Sequence, residues 1–536
     1  MIKKYILGLL LFPFITYAQG IGAESSVMTI NSALTYKGFG ESIAHAGTAE
    51  YKIYYDNVNG VLDKPIFILD GFDPEDSRGI ISLFNSFNNA PTTDNMVEEV
   101  RDEGYDLIFV NFPTYISSTD NSTEIKGGGD FIQRNAYSVI ALIQLINGMT
   151  GETNENVVIG ASMGGLVARY ALRYMEQSTP AIPHETRLYI SFDSPHKGAN
   201  IPMSVQYLFN YMVNGVGLNQ FRPGLRDLNS AAAKQMLVDH YLAHIDVGVD
   251  PIVQTGSNLP SGAPNFRNAF QSELDAMGFP QNVRNVAMIN GSGLGTTSGL
   301  PGANVIDHTF DLGFFTIAID LNFAPTASQS NIATSVSLNG GTPYLANATS
   351  PSFTDGVDSA PGGTTDLSSL GGDGTNATLN EFVANLNETA YCFIPTVSAL
   401  AMSSTNNWYT QPDNTTPFVN TYIPEVNEEH VAVTNGNVAF ALSEIREENL
   451  SSPDFLAEQT IKLSSNPISN SLILLNKSFQ TQAQISIVDM TGKLVFQNDT
   501  ELQERTVIPL SLSTGLYMLN VKSENKSLLK TKLVVK

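Results

Sequence analysis

A serine in a tight turn between a strand and a helix is the residue best placed for covalent chemistry in this 536-residue chain. Val157-Val158-Ile159 is a short β-branched run, typical of a buried parallel strand, and Gly160-Ala161-Ser162-Met163-Gly164 follows at once. Apolar residues then recur at three- and four-residue steps, which predicts a helix (Leu166, Val167, Tyr170, Ala171, Tyr174 and Met175). Strand, G-x-S-x-G and helix together predict a nucleophile elbow. Ser162 would project at the N-terminus of the helix, where negative charge is favoured.

The elements before and after this turn alternate between strands and helices. An apolar run over 65–69 predicts a buried strand that ends in Asp70-Gly71-Phe72. Further strands are expected at 51–57, 105–111 and 187–192, with helices at 95–102 and from Ile132 to Gly148. Such alternation predicts the α/β class, with a doubly wound and mostly parallel sheet.

Three motifs in residues 50–200 resemble the true bacterial lipases and their relatives. They are the Asp70-Gly71 loop, the elbow, and Asp193-Ser194-Pro195-His196-Lys197-Gly198-Ala199 after the strand at 187–192. The resemblance implies an α/β-hydrolase in which a Ser–His–acid triad acts on esters through an acyl-enzyme. It also implies an oxyanion hole made by the backbone N–H groups of Phe72 and Met163. Asp70 stands where lipases usually carry histidine, so the hydrogen bonds of that loop must differ. The family implies that His196 packs under the site and is not catalytic.

The histidine of such a triad follows the serine and the acid along the chain. Among the seven histidines, His430 lies in Asn427-Glu428-Glu429-His430, just before an apolar helix pattern that begins near Thr434. A loop histidine before the last helix is where this fold places its base, so we expect His430 to take that role. The alternative is a surface histidine in an acidic loop.

The sequence leaves the triad acid less defined. A strand predicted at 283–289 is followed by Asn290-Gly291-Ser292-Gly293, which supplies no carboxylate. In the lysosomal and plasma acyltransferase branch of this fold, a hairpin insertion separates that strand from an Asp-Gly acid loop. We rank Asp358 first, because Pro361-Gly362-Gly363 would hold it rigidly. The other candidates are Asp373, Asp355 and, after the strand at 187–192, Asp193.

Residues of about 200–345 are predicted to form a helical cap insertion. Val205, Leu208, Phe209 and Met212 have helical spacing, as do Ala232, Met236, Leu237 and Tyr241. A cap in this place shapes the acyl site, either as a rigid wall or as a moving lid. No residue spacing indicates a metal site, calcium included, and no cofactor is expected.

The composition excludes several classes of protein. The formal net charge is −24, whereas non-specific nucleic-acid binding needs a basic surface. Hydrophobic residues make up 42% of the chain, which excludes a wholly disordered protein. Cys392 is the single cysteine, so an intrachain disulfide and zinc sites built from several cysteines are excluded.

The first residues have the pattern of a secretory signal peptide. Lys3 and Lys4 precede a mainly apolar run over 5–17, and Ala18 is a small residue at a cleavage position. We therefore predict a signal peptide over 1–18 and an exported mature protein. The alternative is an uncleaved membrane anchor, although the run is shorter than the ~20 residues that span a bilayer.

The formal charge and the predicted secondary structure of the chain change near residue 462. Residues 462–536 contain eight Lys and one Arg against two Asp and three Glu, a formal charge of +4, so the rest carries −28. Short β-type runs separated by turns predict a small β-sandwich over 462–536. The predicted domains are thus the signal peptide over 1–18, a hydrolase over 19–448, a linker over 449–461, and this sandwich.

The last 75 residues resemble the type A C-terminal sorting domain of the bacterial type IX secretion system. The motifs that match in order and spacing are Asn466-Pro467, Asp489-Met490-Thr491-Gly492-Lys493, Gly515-Leu516-Tyr517 and a Lys-rich final strand. The resemblance implies recognition by an outer-membrane export machine. The alternative is an Ig-like accessory or sugar-binding module.

The sequence therefore predicts an exported, monomeric serine hydrolase that cleaves carboxylic esters of the lipase or esterase type. Its expected site is Ser162, His430 and Asp358, with Phe72 and Met163 at the oxyanion. Its partners would be an ester or lipid substrate and the secretion machinery, with no nucleic acid. Two alternatives stay open: an amidase or acyltransferase on the same scaffold, and a surface binding protein that has lost catalysis.

Overall fold

The computed structural model describes residues 20–88, 90–150, 156–246, 248–368, 377–446, 461–463, 468, 470–476, 481–489, 493–503, 505–523 and 526–536. The chain forms two compact units, Met1–Ile445 and Arg446–Lys536. The predicted signal peptide, the candidate Asp373 and most of the predicted linker lie outside the described residues. No helix among the described residues is long and apolar enough to cross a membrane.

The strands and helices are numbered in chain order. The strands of the first unit are β1 Met28–Tyr36, β2 His45–Tyr54, β3 Pro65–Leu69, β4 Asp106–Asn111, β5 Thr114–Ile116, β6 Glu124–Lys126, β7 Asn156–Ala161, β8 Thr186–Phe192, β9 Ile245–Asp246, β10 Asp250–Gln254, β11 Arg284–Met288, β12 Asn304–Asp311, β13 Thr316–Asn322, β14 Ser330–Leu338, β15 Tyr344–Thr349, β16 Gly362–Asp366, β17 Ala390–Pro395 and β18 Asn420–Tyr422. Its α-helices are α1 Gly79–Asn88, α2 Met96–Asp102, α3 Ile132–Thr150, α4 Met163–Gln177, α5 Met203–Asn210, α6 Arg222–Leu228, α7 Ala231–Met236, α8 Arg267–Met277, α9 Ala377–Ala384, α10 Thr396–Ala399 and α11 Asn435–Arg446.

A mostly parallel sheet forms the centre of the first unit. Its strand order is β1-β2-β4-β3-β7-β8-β11-β18. The first two pairings, β1 with β2 and β2 with β4, are antiparallel. The remaining five pairings, from β4 with β3 to β11 with β18, are parallel. The predicted α/β class with a doubly wound, mostly parallel sheet is confirmed.

Each buried strand of this sheet contributes to two hydrophobic cores because its successive side chains point to opposite faces. In β3, Phe67 and Leu69 pack with residues of α3 and α4 on one face. Ile66 and Ile68 pack with residues of α1, α2 and α11 on the other face. Burial on both faces explains why β3, β4 and β7 are continuous apolar runs without the alternation of a half-exposed strand.

The predicted cap insertion contains helices, as expected, and also an antiparallel sheet that the sequence analysis did not predict. The helices α5 and α7 occur where the helical spacing lies, and α6 lies between them outside either predicted pattern. The strands β12, β13, β14 and β15 pair in that order into a four-stranded sheet. Residues of this sheet and of α5 and α9 form a hydrophobic core of their own.

The second unit is an all-β structure. Its strands are β19 Ile461–Leu463, β20 Ser471–Asn476, β21 Thr481–Asp489, β22 Leu494–Leu502, β23 Arg505–Pro509, β24 Gly515–Ser523 and β25 Lys526–Val535. They form one sheet of order β19-β20-β23 and another of order β22-β21-β24-β25. Side chains from both sheets share one apolar core, as expected for the small C-terminal β domain.

Candidate active site

The predicted nucleophile stands in the strained turn that joins β7 to α4. Ser162 has φ 54° and ψ −123°, a conformation that L-residues adopt rarely and that is held by the surrounding structure. A Cβ atom on Gly160 would lie 2.4 Å from the Cα of Gly165, and one on Gly164 would lie 2.6 Å from the backbone oxygen of Asp70. Both glycines of the motif are therefore required by close backbone packing.

His430 meets this serine from a loop that precedes α11. Its Nε2 lies 2.8 Å from Ser162 Oγ. The backbone N–H of His430 donates to the carbonyl oxygen of Thr364 at 2.8 Å, and the ring of Phe393 stands edge-on to the imidazole with centroids 4.9 Å apart. The imidazole is thus fixed through its own backbone and through ring packing, with only 11% of its side chain exposed.

The carboxylate beside this histidine belongs to Asp193. Its Oδ2 lies 2.7 Å from His430 Nδ1, and its Oδ1 accepts the backbone N–H of Asn290 at 3.1 Å. Asp193 directly follows β8, the strand next to the elbow strand β7, and it is fully buried. Each of its oxygens therefore has a partner, as a buried charge requires.

The ranking that placed Asp358 first is wrong. Asp358 Oδ1 accepts from the side-chain amide of Asn200 at 3.0 Å, and Oδ2 accepts from the backbone N–H of Ala324 at 2.7 Å. Burial raises the pKa of this carboxyl to about 6. Asp358 thus ties loops of the insertion together. The third candidate, Asp355, accepts from the backbone N–H of Ala327.

The Pro361-Gly362-Gly363 turn does reach the site, but for a reason that the sequence analysis missed. A Cβ atom on Gly363 would lie only 2.1 Å from Asp193 Oδ2. The turn therefore leaves space for the carboxylate of another residue and does not present its own. Asn290 was also missed, because a backbone N–H carries no signal in the sequence.

The loop after β3 lies against the nucleophile. A Cβ atom on Gly71 would be 3.1 Å from Ser162 Cβ, and Phe72 lines the same small cavity as Ser162. Among the hydrogen bonds of the described residues, the backbone N–H groups of Phe72 and Met163 have no protein acceptor. The role of these two N–H groups as oxyanion donors stays a prediction.

Asp70 organises this loop in place of the histidine that lipases usually carry. Its Oδ1 accepts the backbone N–H of Gly71 at 2.7 Å and lies 3.1 Å from Arg78 Nη2. The same Nη2 donates to the carbonyl oxygen of Phe72. Asp70 Oδ2 is buried and has no partner among the described residues. Burial raises the pKa of Asp70 to about 6, although the charge of Arg78 acts in the opposite direction.

His196 makes no hydrogen bond to Ser162, His430 or Asp193 among the described residues. Its Nε2 lies 2.8 Å from Ser191 Oγ, and its ring packs against Phe279 and Phe418. Burial lowers the pKa of His196 well below its usual value, so the ring is neutral. Among the described residues no group of His, Cys, Asp and Glu is arranged to hold a metal ion.

Two family descriptions match parts of the chain. Residues 115–240 match the PGAP1-like alpha/beta domain, and residues 465–536 match the secretion system C-terminal sorting domain. The α/β-hydrolase fold and the sorting domain that the sequence motifs predicted are therefore confirmed. No curated protein matches the chain.

Several solved structures of α/β-hydrolases are similar to part of the chain. The peroxisomal alpha-beta-hydrolase Lpx1 of Saccharomyces cerevisiae is 14% identical, with a TM-score of 0.26 over 50% of this chain and 75% of that chain. Est1E of Butyrivibrio proteoclasticus is 11% identical, with a TM-score of 0.23 over 49% and 78%. A thermostable carboxyl esterase of Bacillus coagulans is 12% identical, with a TM-score of 0.24 over 49% and 80%.

Substitution of Asp193 and of Asp358 should have very different effects on kcat. Asp193→Asn should lower kcat for ester hydrolysis by the order of 10⁴-fold, because an amide beside Nδ1 favours the wrong imidazole tautomer. Asp358→Asn should leave kcat within about threefold, since it touches none of the reacting groups. Steady-state rates of both variants, compared at equal folded fraction, test the assignment, and a larger loss in the Asp358 variant would contradict it.

Asp70 should make the fold less stable as the pH rises. Its pKa is about 6 in the fold and 3.8 when unperturbed, so the folded chain binds the extra proton in between. The free energy of unfolding should fall by about 2 kcal/mol from pH 4 to 7 through this group alone. Asp70→Asn should remove that part of the slope. Denaturant unfolding of both proteins at several pH values measures the difference, and parallel curves would contradict it.

Proposed function

We propose that this protein is an exported serine hydrolase that cleaves carboxylic esters. The observation that carries the proposal is the continuous hydrogen-bonded row from Asp193 through His430 to Ser162, with both contacts at 2.8 Å or less. Such a row, beside two free backbone N–H groups, has the geometry needed for acyl transfer. The match of residues 115–240 to an alpha/beta domain supports the same reading.

The protonation of His430 follows from its neighbours. A buried carboxylate can only accept hydrogen bonds, so Nδ1 carries the proton and donates it to Asp193. Nε2 is then the free acceptor for the hydroxyl proton of Ser162. His430 Nε2 removes this proton as Ser162 Oγ attacks the ester carbonyl carbon, and the imidazolium that forms is stabilised by Asp193.

The carbonyl oxygen becomes negatively charged in the tetrahedral intermediate. The N–H groups of Phe72 and Met163 donate to it, and the N-terminus of α4 adds a favourable dipole. His430 then gives its proton to the leaving alcohol, which departs and leaves an acyl group on Ser162. Water attacks this acyl-enzyme with His430 again as base, and the carboxylic acid is released as Ser162 regains its proton.

The proposal extends to the route of export. The sorting domain matched at 465–536 would direct the chain through the type IX system to the cell surface or the medium. The hydrolase residues lie in the other compact unit, Met1–Ile445. We therefore assign export and catalysis to separate parts of the chain.

Replacing the nucleophile tests the proposed chemistry most directly. Ser162→Ala should abolish ester turnover by the order of 10⁴-fold or more and prevent covalent labelling by a fluorophosphonate. A matched control is Ser443→Ala on α11, whose hydroxyl only donates to the Phe440 carbonyl oxygen and which should label like the wild type. Labelling of the Ser162 variant at the wild-type rate would move the nucleophile elsewhere. Turnover of amides in preference to esters would favour the amidase alternative.

Removing residues 462–536 should separate export from catalysis. The purified truncated protein should retain its ester kcat/KM, because every proposed site residue lies in Met1–Ile445. In the native host the same truncation should retain the protein in the periplasm, as measured by immunoblotting of cell fractions. Full-length Ser162→Ala provides the control, since it should be exported without activity. Surface or medium localisation of the truncated protein would contradict the sorting role.

A further inference from the structure

The nucleophile lies in the first of three adjoining apolar cavities. The cavity at Ser162 has a volume of about 30 Å³ and is walled by the side chains of Phe72, Ile201, Ala233, Met236 and Phe393, among others. This is space for the ester carbon and the first carbons of an acyl group. Its walls come from the oxyanion loop, the start of the cap and β17.

A second cavity continues from the first. It has a volume of about 150 Å³ and shares Phe72, Ile201 and Ala233 with the cavity at the nucleophile. Its lining includes two carboxylates, Asp227, whose side chain is 32% exposed, and Asp366, which is exposed. The rest of the lining is apolar.

A third cavity extends the second into the cap. It has a volume of about 200 Å³ and shares Phe209 and Gly224 with the second cavity. Its lining is almost wholly apolar and comes from α5, α6, α9 and the strands β12 and β13, with Phe310, Ile317 and Ile319 from the sheet. The three cavities thus adjoin one another along a path from Ser162 to the four-stranded sheet of the insertion.

We infer that this path binds the acyl chain of the ester and that the substrates carry acyl groups of twelve carbons or more. The inference rests on the proposed function. A water-sized group needs about 10–15 Å³ of such space, so the second and third cavities hold on the order of twenty methylene groups. An apolar path binds hydrocarbon because removing apolar surface from water is favourable. A polar alcohol group would gain no such binding free energy there.

The contact between Gly224 and Phe209 sets how far a chain can extend. A Cβ atom on Gly224 would lie 2.3 Å from Cε2 of the Phe209 ring, and these two residues line both the second and the third cavity. Any side chain at position 224 displaces the ring or fills the passage. The absence of a side chain at position 224 leaves the Phe209 ring in place between the two cavities, and in this proposal the glycine determines specificity for long chains.

The experiment measures kcat/KM of the full chain for p-nitrophenyl butanoate, octanoate, dodecanoate and hexadecanoate, below the concentrations at which they form micelles. The wild type should favour dodecanoate over butanoate by at least roughly tenfold, since each buried methylene adds to binding. A series of alkyl acetates, which lengthens the alcohol instead, should show no such gain. A flat acyl series, or a gain confined to the acetates, would overturn the inference.

The passage is tested by Gly224→Leu, with Gly148→Leu as the matched control. Gly148 lies in α3 and has no atom within 4 Å of its would-be Cβ. Within each variant, the ratio of dodecanoate to butanoate kcat/KM is the readout. The ratio should collapse toward one in Gly224→Leu and stay at the wild-type value in the control.

These experiments distinguish failure of the acyl path from failure of the proposed hydrolase. An unchanged ratio in a folded Gly224→Leu protein overturns the role of the passage. If that variant does not fold, Gly224→Ala is used instead, and it should lower the ratio of dodecanoate to butanoate kcat/KM by a smaller factor. The acyl preference itself is tested by the wild-type series without any variant. Absence of butanoate turnover and of fluorophosphonate labelling in the wild type would instead refute the proposed hydrolase itself.

Discussion

The contact between Asp193 and His430 is the constraint on which the rest of the site depends. A fully buried carboxylate is costly unless each oxygen is paired, and here one oxygen binds the imidazole while the other binds the Asn290 N–H. The sheet fixes Asp193 beside the elbow because β7 and β8 are neighbours. The His430 loop is bound to Thr364, next to the glycine that leaves room for the carboxylate.

The parts of the site that the sequence could predict are those with a local signature. The elbow needs small residues around a serine between a strand and a helix, and the structure places Ser162 there for that reason. His430 followed from chain order and from the start of α11. The acid could not be ranked from local pattern, because several aspartates lie in loops and only tertiary packing distinguishes them. Its position directly after a buried strand next to the elbow strand was the available signal.

The elements of the fold that could be predicted are likewise those with a local sequence pattern, and the others depend on tertiary structure. Strands buried on both faces are continuous apolar runs, so β3, β7 and β8 could be predicted closely. The sheet β12–β15 was not predicted, although strands such as Thr316–Asn322 alternate between buried and partly exposed residues, which is typical of a half-buried strand. The helical spacing of nearby segments favoured an all-helical insertion instead. The sequence shows that the Asp70 loop differs from that of lipases, but the ion pair of Asp70 with Arg78 depends on a turn that forms only in the folded chain.

The position of the insertion has a consequence for how the chain acquires reactivity. The acid and the histidine are 237 residues apart, and almost the whole insertion lies between them. The length-dependent part of the entropic cost of closing such a loop is about 5 kcal/mol. Doubling the length of the loop would add only about 0.6 kcal/mol to this cost. Asp193 and His430 are brought together only by tertiary structure, so an unfolded chain lacks the hydrogen-bonded row that ends at Ser162. The same arithmetic allows the cap to lengthen or shorten over evolution with little effect on the assembly of the site.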